Sequence, residues 1–291
     1  MITPPLRGGL ILAAGLAFAA SLFAQAPQAP KIEFPLPSPA ATLKQRVGLT
    51  DIEIVYYRPG VKNRVIFGGL LPYGEVWRAG ANFATKITFS TLVKVNGTEV
   101  PAGTYGLFAI PGQNEWTVIL NKNANQWGAY QYNPTGDVLR VKVAPVNLEQ
   151  AVETFTIDVN DIRDESATLD LIWEKTRVPV KLEVDVVGTL VPQIEAAMAA
   201  PGEKPYQSAA LFYLDHNLDL KKAAGWIDAA IAEHPGAFNL LYHKAEILAK
   251  MGDKDGALAA ARQSIALAAK NSGPIKEEYT RLNEALIASL R

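Results

Sequence analysis

The residues that could do chemistry are concentrated in one basic, irregular stretch between positions 58 and 85. This stretch contains one acid, Glu75, and four cations: Arg58, Lys62, Arg64 and Arg78. Turn-forming Pro and Gly residues interrupt it, so we expect it to form loops. Guanidinium groups that converge at one end of a fold can bind a carboxylate, phosphate or sulfate. Alternatively, each arginine bonds loop carbonyls and holds a long irregular segment in place.

Aromatic and amide side chains accompany these cations. The segment VWRAGANFAT places Trp77 and Asn82 beside Arg78, and the later segment NKNANQWGAYQYN places Trp127 among amides. Aromatic faces with nearby amides suit sugars or peptides. In the competing interpretation, Trp77 and Phe83 anchor the segment VWRAGANFAT in the core. The segment NKNANQWGAYQYN is then a loop that covers the sheet. The predicted binding residues are Arg58, Lys62, Arg64, Trp77, Arg78, Asn82 and Trp127.

The residues for several catalytic and metal chemistries are missing from the sequence. The three histidines all lie after position 215, so no Ser-His-Asp arrangement can form within the β-patterned part. There is no cysteine, and therefore no thiolate nucleophile and no Cys-ligated zinc. No H-E-x-x-H motif or Gly-rich phosphate loop is present, and the acidic run DVNDIRDES lacks EF-hand spacing. We expect no catalytic residue, no metal site and no cofactor.

The N-terminus has the pattern of a secretory signal peptide at residues 1–26. Its apolar run, LILAAGLAFAASLF, is shorter than the roughly 20 residues of a transmembrane helix, and Ala24-Gln25-Ala26 follows as a cleavage pattern. Residues 27–41 are rich in proline and read as an extended spacer. We predict cleavage near Ala26 and a periplasmic or secreted protein with no membrane span afterwards. The alternative is an uncleaved membrane anchor.

Net charge gives no support for nucleic acid as a partner. The chain has 28 basic and 29 acidic residues and no long basic run. Hydrophobic residues make up 49% of the sequence, as expected for a globular protein.

The hydrophobic period changes once along the chain. Residues 42–187 contain about nine short segments rich in Val, Ile, Thr and aromatics, with a hairpin signal at Asn96-Gly97. They predict an antiparallel β-sandwich or flattened barrel. Residues 188–291 show helical periodicity, with like residues 34 apart in pairs such as Ala223 and Ala257. This spacing resembles a tetratricopeptide repeat, which implies a protein partner; a generic helical bundle is the alternative.

Three segments of the β-patterned part resemble the bacterial domain of unknown function 2911 family. They are R-P-x-x-K-x-R at residues 58–64, P-Y-G-x-V-W-R-x-G-A-N at 72–82 and P-A-G-T-Y at 101–105. The resemblance covers about residues 38–185. It implies a secreted or periplasmic β domain, often followed by helical repeats, and it implies no activity.

Two function classes remain open at the level of sequence. We favour a non-enzymatic envelope protein whose β domain binds a small anionic or glycan ligand and whose helices bind a protein. The alternative is a hydrolase that acts on envelope material with carboxylates and arginines. A close pair of carboxylates in a concave pocket would favour the hydrolase, because general acid–base catalysis needs two such groups with separated pKa values.

Overall fold

The computed structural model describes residues 33–291, and residues 37–291 pack as one compact unit. In this part of the chain, ten strands precede six α-helices. The strands are β1 (Ala40–Val47), β2 (Thr50–Tyr57), β3 (Thr85–Phe89), β4 (Val93–Val95), β5 (Thr98–Val100), β6 (Gly103–Ile110), β7 (Trp116–Asn121), β8 (Asp137–Val143), β9 (Val146–Asn160) and β10 (Ser166–Val184). The predicted signal peptide, at residues 1–26, lies outside the described residues.

The strands form two antiparallel sheets. One has the order β1-β2-β3-β6-β7-β8 and the other the order β5-β4-β10-β9. Buried and exposed side chains alternate along strands such as β2, because successive residues of a strand point to opposite faces. The predicted fold class, an antiparallel β-sandwich followed by helices, is confirmed, and the two separate sheets favour the sandwich over the barrel.

Local signals account for the turns. Asn96 and Gly97 both have positive φ and connect β4 to β5, as the hairpin signal predicted. The acidic run DVNDIRDES contains the turn between β9 and β10. Strand β1 begins at Ala40, so its first two residues fall within the range 27–41 that was predicted as spacer.

Aromatic side chains fill the core between the sheets. Trp173 of β10 and Phe155 of β9 are buried, and both contact Trp77 from the β2–β3 connection. The ring centroids of Trp77 and Phe155 are 4.9 Å apart, and those of Trp77 and Trp173 are 5.9 Å apart. Such contacts stabilise beyond the apolar area they bury, so the β2–β3 connection is part of the core.

The helices are α1 (Val187–Ala199), α2 (Tyr206–Asp215), α3 (Leu220–Glu233), α4 (Phe238–Met251), α5 (Lys254–Ala268) and α6 (Pro274–Ser289). Consecutive helices from α2 to α6 pack against one another. Asp219 caps α3 and Asp253 caps α5 through side-chain oxygens that accept backbone N–H groups. Among the described helices, none is both long and apolar enough to cross a membrane.

The small residues at equivalent positions of α3 and α5 should be required for helix packing. Ala223 and Ala257 are both 0% exposed. We expect Ala257→Leu to lower the free energy of unfolding by about 1–3 kcal/mol, because extra methylenes must be forced into a packed interface. Urea denaturation would measure this. The control is Ala259→Leu on the exposed face of the same helix, and equal stability of the two variants would contradict the packing.

Candidate functional site

The long connection between β2 and β3 joins the two sheets. The carbonyl of Pro59 accepts the N–H of Phe155 (2.9 Å), and the N–H of Val61 donates to the carbonyl of Glu153 (2.8 Å). Both partners belong to β9, the edge strand of the four-stranded sheet. The connection therefore leaves the six-stranded sheet at β2 and pairs with the edge of the other sheet, which satisfies backbone groups of both.

Arg58 has a structural role in this crossing. Its Nε–H donates to the carbonyl of Phe155 (3.0 Å), and its Nη2 donates to Oγ1 of Thr156 (2.7 Å). Both acceptors lie on β9, so the guanidinium ties the end of β2 to the opposite sheet. Among the described residues, Arg58 is not part of the cleft lining below. The prediction that it belongs to the binding residues has no support from its position.

Trp77 anchors the segment VWRAGANFAT through both its backbone and its side chain. The backbone of Trp77 exchanges two hydrogen bonds with Ala109 at the end of β6 (2.7 and 2.9 Å), and its indole N–H donates to the carbonyl of Gly80 (3.0 Å). Trp77 is only 6% exposed. Its anchoring role is therefore confirmed. The matching expectation for Phe83 is wrong, because this ring is 46% exposed and packs on the surface.

The backbone after Arg78 is strained. Ala79 has φ of +47° and Asn82 has φ of +53°, a left-handed region that L-residues with side chains rarely adopt. Gly80 is required because a Cβ there would lie 2.9 Å from the carbonyl oxygen of Tyr57. Strained loop backbone persists where its surroundings fix it, and it is concentrated at functional sites. Here the buried Trp77 fixes it.

Three of the predicted cations line one cleft of about 300 Å³. The cleft lies beside the crossing segment, and Trp77 and Trp173 contribute to its wall. The three cations are Lys62, Arg64 and Arg78. The remaining described lining residues are Pro37, Ser38, Pro59, Gly60, Leu70, Leu71, Gly80 and Ala81. No carboxylate is among these described lining residues. Within residues 33–291, none of the three charged side-chain groups has a carboxylate oxygen within 4.0 Å, although Glu153 Oε1 accepts the backbone N–H of Lys62 (2.9 Å).

Backbone carbonyls orient the three cations. Lys62 Nζ donates to the carbonyl of Pro37 (3.3 Å), and Arg78 Nη1 donates to that of Asn82 (2.6 Å). Arg64 donates from Nε to Val61 (3.1 Å) and from Nη2 to Gly60 (2.6 Å). A guanidinium has five N–H donors, so both arginines keep donors beyond these bonds. The acceptors are loop carbonyls, as expected in the alternative in which these cations hold the irregular segment in place.

A second depression, of about 200 Å³, adjoins the cleft. The two share four lining residues: Leu70, Leu71, Trp77 and Arg78. The far wall includes Tyr130, which is 81% exposed, and the Cζ of Arg78 lies 5.9 Å from the centroid of its ring. The sequence contained Tyr130 in its aromatic loop, but nothing in the spacing indicated that Tyr130, rather than Trp127, faces Arg78.

Trp127 and Asn82 support neighbouring loops. The ring of Trp127, 53% exposed, contacts Phe83 edge-to-face at 4.8 Å between centroids. Asn82 donates its side-chain N–H to the carbonyl of Ser38 (3.3 Å). Neither is among the described residues that line the cleft. The structure thus brings together Lys62, Arg64, Trp77 and Arg78 from the predicted set, and places the rest outside.

A polar network fixes the loop that carries Tyr130. Asp137 accepts hydrogen bonds from Asn121 Nδ2 (2.7 Å), from the Tyr132 hydroxyl (2.6 Å) and from Arg140 Nη1 (2.9 Å). Burial, together with the bond to the Asp137 carboxylate, raises the pKa of Tyr132 to about 12. Tyr132 therefore keeps its proton at neutral pH and remains a donor that anchors the loop.

A separate acidic depression of about 320 Å³ lies where β10 meets α1. Three of the four carboxylates described in its lining have close structural partners, and the fourth, Glu99, lies 4.0 Å from Lys94 Nζ. Glu165 Oε1 accepts the N–H groups of Val186 (3.3 Å) and Val187 (3.1 Å), and Asp185 Oδ1 accepts that of Gly188 (2.6 Å), so both satisfy the start of α1. Glu183 pairs with a lysine at 2.7 Å. The residues described contain no group of three or more His, Asp or Glu placed to hold a metal ion.

Comparison with known proteins finds one family match, which lies in the β part. Residues 38–182 match the sequence model of the family described as Protein of unknown function (DUF2911). No match was found among curated proteins or among solved structures.

The different roles of the arginines should appear in stability measurements. Arg58→Ala removes two hydrogen bonds from a charged donor between the sheets, and we expect it to cost about 3 kcal/mol. Arg78→Ala should cost about 1 kcal/mol, because the Asn82 carbonyl that it leaves also accepts the N–H of Gly128 (3.0 Å). Thermal and urea melts of the two variants measure this. A larger loss for Arg78→Ala would show that Arg78 holds the loop.

Proposed function

We propose that this chain, whose residues 38–182 match the model of the DUF2911 family, is an exported, non-enzymatic protein that binds a small anion. The observation that carries the proposal is that Lys62, Arg64 and Arg78 line one cleft. The described lining of this cleft contains no carboxylate. Like charges placed together repel one another, and an anion bound between them offsets that repulsion. The free donors of two guanidinium groups supply directional hydrogen bonds to carboxylate or phosphate oxygens.

The geometry supports binding better than hydrolysis. General acid–base catalysis on a glycan or peptide needs a pair of carboxylates in the substrate cleft, and the described lining of the cationic cleft has none. In the acidic depression, Glu165 and Asp185 are committed to the start of α1. The glycan form of the proposal has less support than the anion form, because Trp127 lies outside the cleft.

The helical part is proposed to serve as a protein-binding module of tetratricopeptide type. Two helix pairs follow each other, and their second helices carry an Asp cap and a fully buried Ala at the 34-residue spacing. Pairs of this kind stack and present an extended surface to a partner. The two activities are separable, because the cleft is built from the β part.

Export is proposed from the N-terminal pattern. We expect the mature protein to begin after Ala26, since the apolar run ends there at an A-x-A pattern and a proline-rich stretch follows. N-terminal sequencing of the protein isolated from the native cell envelope checks this. A chain that starts at Met1 would contradict it.

Anion binding should depend on the cleft cations. We expect the full mature protein to bind inorganic phosphate at low ionic strength, and Arg64→Ala and Lys62→Ala each to weaken that binding about tenfold. Isothermal titration calorimetry measures the affinities. Lys44→Ala is the charge-matched control, because Lys44 is paired with Glu53 (2.7 Å) outside the cleft.

The proposal fails if the wild-type protein binds none of phosphate, sulfate and acetate. It also fails if Lys44→Ala weakens binding as much as Arg64→Ala does, because the effect would then come from net charge alone. Rising salt should weaken binding throughout, since the cleft is open to solvent.

A further inference from the structure

The cationic cleft and the second depression share Leu70, Leu71, Trp77 and Arg78 in their linings. We propose that the two form one groove for an amphipathic ligand with a single anionic head, a carboxylate or phosphate, joined to an apolar chain, with the head at Lys62 and Arg64. This rests on the anion site proposed above and adds the class of ligand.

The charges are unevenly distributed along the groove. Lys62 and Arg64 line the first cleft and are absent from the described lining of the second. Arg78 lines both. A ligand head therefore meets three cations only at the first end, and this end fixes where the anionic group lies.

The second end is apolar. Beyond the shared residues, its lining includes Pro72, Val76, Ala129 and Tyr130. Leu70 and Tyr130 are large side chains that the fold leaves exposed, although they stand beside a buried tryptophan. An exposed apolar patch rimmed by charge is typical of a ligand groove. An apolar chain laid here would remove these side chains from water, which favours binding.

Glu75 places a negative charge at the second end of the groove, opposite to the cations of the first end. It is the single carboxylate among the described residues that line the second end, and it forms no ion pair within 4.0 Å among residues 33–291. A ligand with a second negative charge at the end of its chain would place that charge near Glu75. Repulsion between like charges, added to the cost of desolvating an anion, disfavours a ligand with a second charge at the end of its chain.

The experiment compares three probes of related structure on the full mature protein: acetate, octanoate and octanedioate. Octanoate should bind at least tenfold more tightly than acetate, because each buried methylene improves affinity roughly fourfold. Octanedioate should bind more weakly than octanoate. Glu75→Gln should remove most of the difference between octanoate and octanedioate.

Leu70→Ser and Tyr130→Ser test the apolar end directly. Both side chains are exposed, so these changes should leave the fold intact. Each should weaken octanoate binding several-fold, and Tyr130→Ser, which is not among the described lining of the cationic cleft, should weaken acetate binding less than octanoate binding. Val65→Ser is the matched control, since Val65 is also an exposed apolar residue of the same connection but lies outside the described lining of both depressions.

The possible outcomes distinguish failure of the apolar extension from failure of the anion site. If acetate and octanoate bind equally, the anion site stands and the apolar extension is wrong. If octanol binds as tightly as octanoate, the head does not use the cations and the inference is overturned. Absence of binding by every anion, phosphate included, would remove the anion site and this inference together.

Discussion

The pairing of residues 59–61 with the edge of β9 is the constraint on which the site depends. A connection that leaves β2 and must return to β3 within the same sheet is long, and its backbone groups need partners. Pro59 and Val61 find them on β9 of the opposite sheet. Trp77 then returns the chain to the end of β6 and fills the core between the sheets. Arg58 reinforces the crossing with two bonds to β9.

These two anchors determine where the cations lie. Lys62 and Arg64 follow the crossing segment directly, and Arg78 follows the buried tryptophan. Their charges are therefore placed by backbone contacts and by burial, and no ion pair among residues 33–291 is needed to position them. In the proposed function, donors held in this way would need little rearrangement before an anion binds.

The sequence predicted the layers and grouped some of the residues that line the cleft. Period-2 alternation identified the strands, and Asn96-Gly97 identified a hairpin, because both signals are local. The roles of the arginines were not predictable. Arg58 and Arg64 stand six positions apart in one loop, yet one bonds the opposite sheet and the other lines the cleft. That difference depends on which strand lies beside the loop, and it comes from sheet order, which is not a local property.

The aromatic residues show the same limit. Trp77 and Phe83 occur in one segment, but a single strained bend around Ala79 and Gly80 sends the first into the core and leaves the second on the surface. Tyr130 and Trp127 are three residues apart, and only Tyr130 lines the groove, because the Asp137 network fixes the course of its loop. Composition indicated an aromatic loop, and tertiary contacts decided which ring lines the second depression.

The most direct measurement of the central claim follows the arginine Nε–H signals by NMR while inorganic phosphate is added. The signals of Arg64 and Arg78 should shift together with one common affinity, because both guanidinium groups line the same cleft. The signal of Arg58, whose Nε–H is bonded to the carbonyl of Phe155, should stay in place and serves as an internal control. Shifts of Arg64 and Arg78 with different affinities, or an equal shift of Arg58, would contradict a shared anion site.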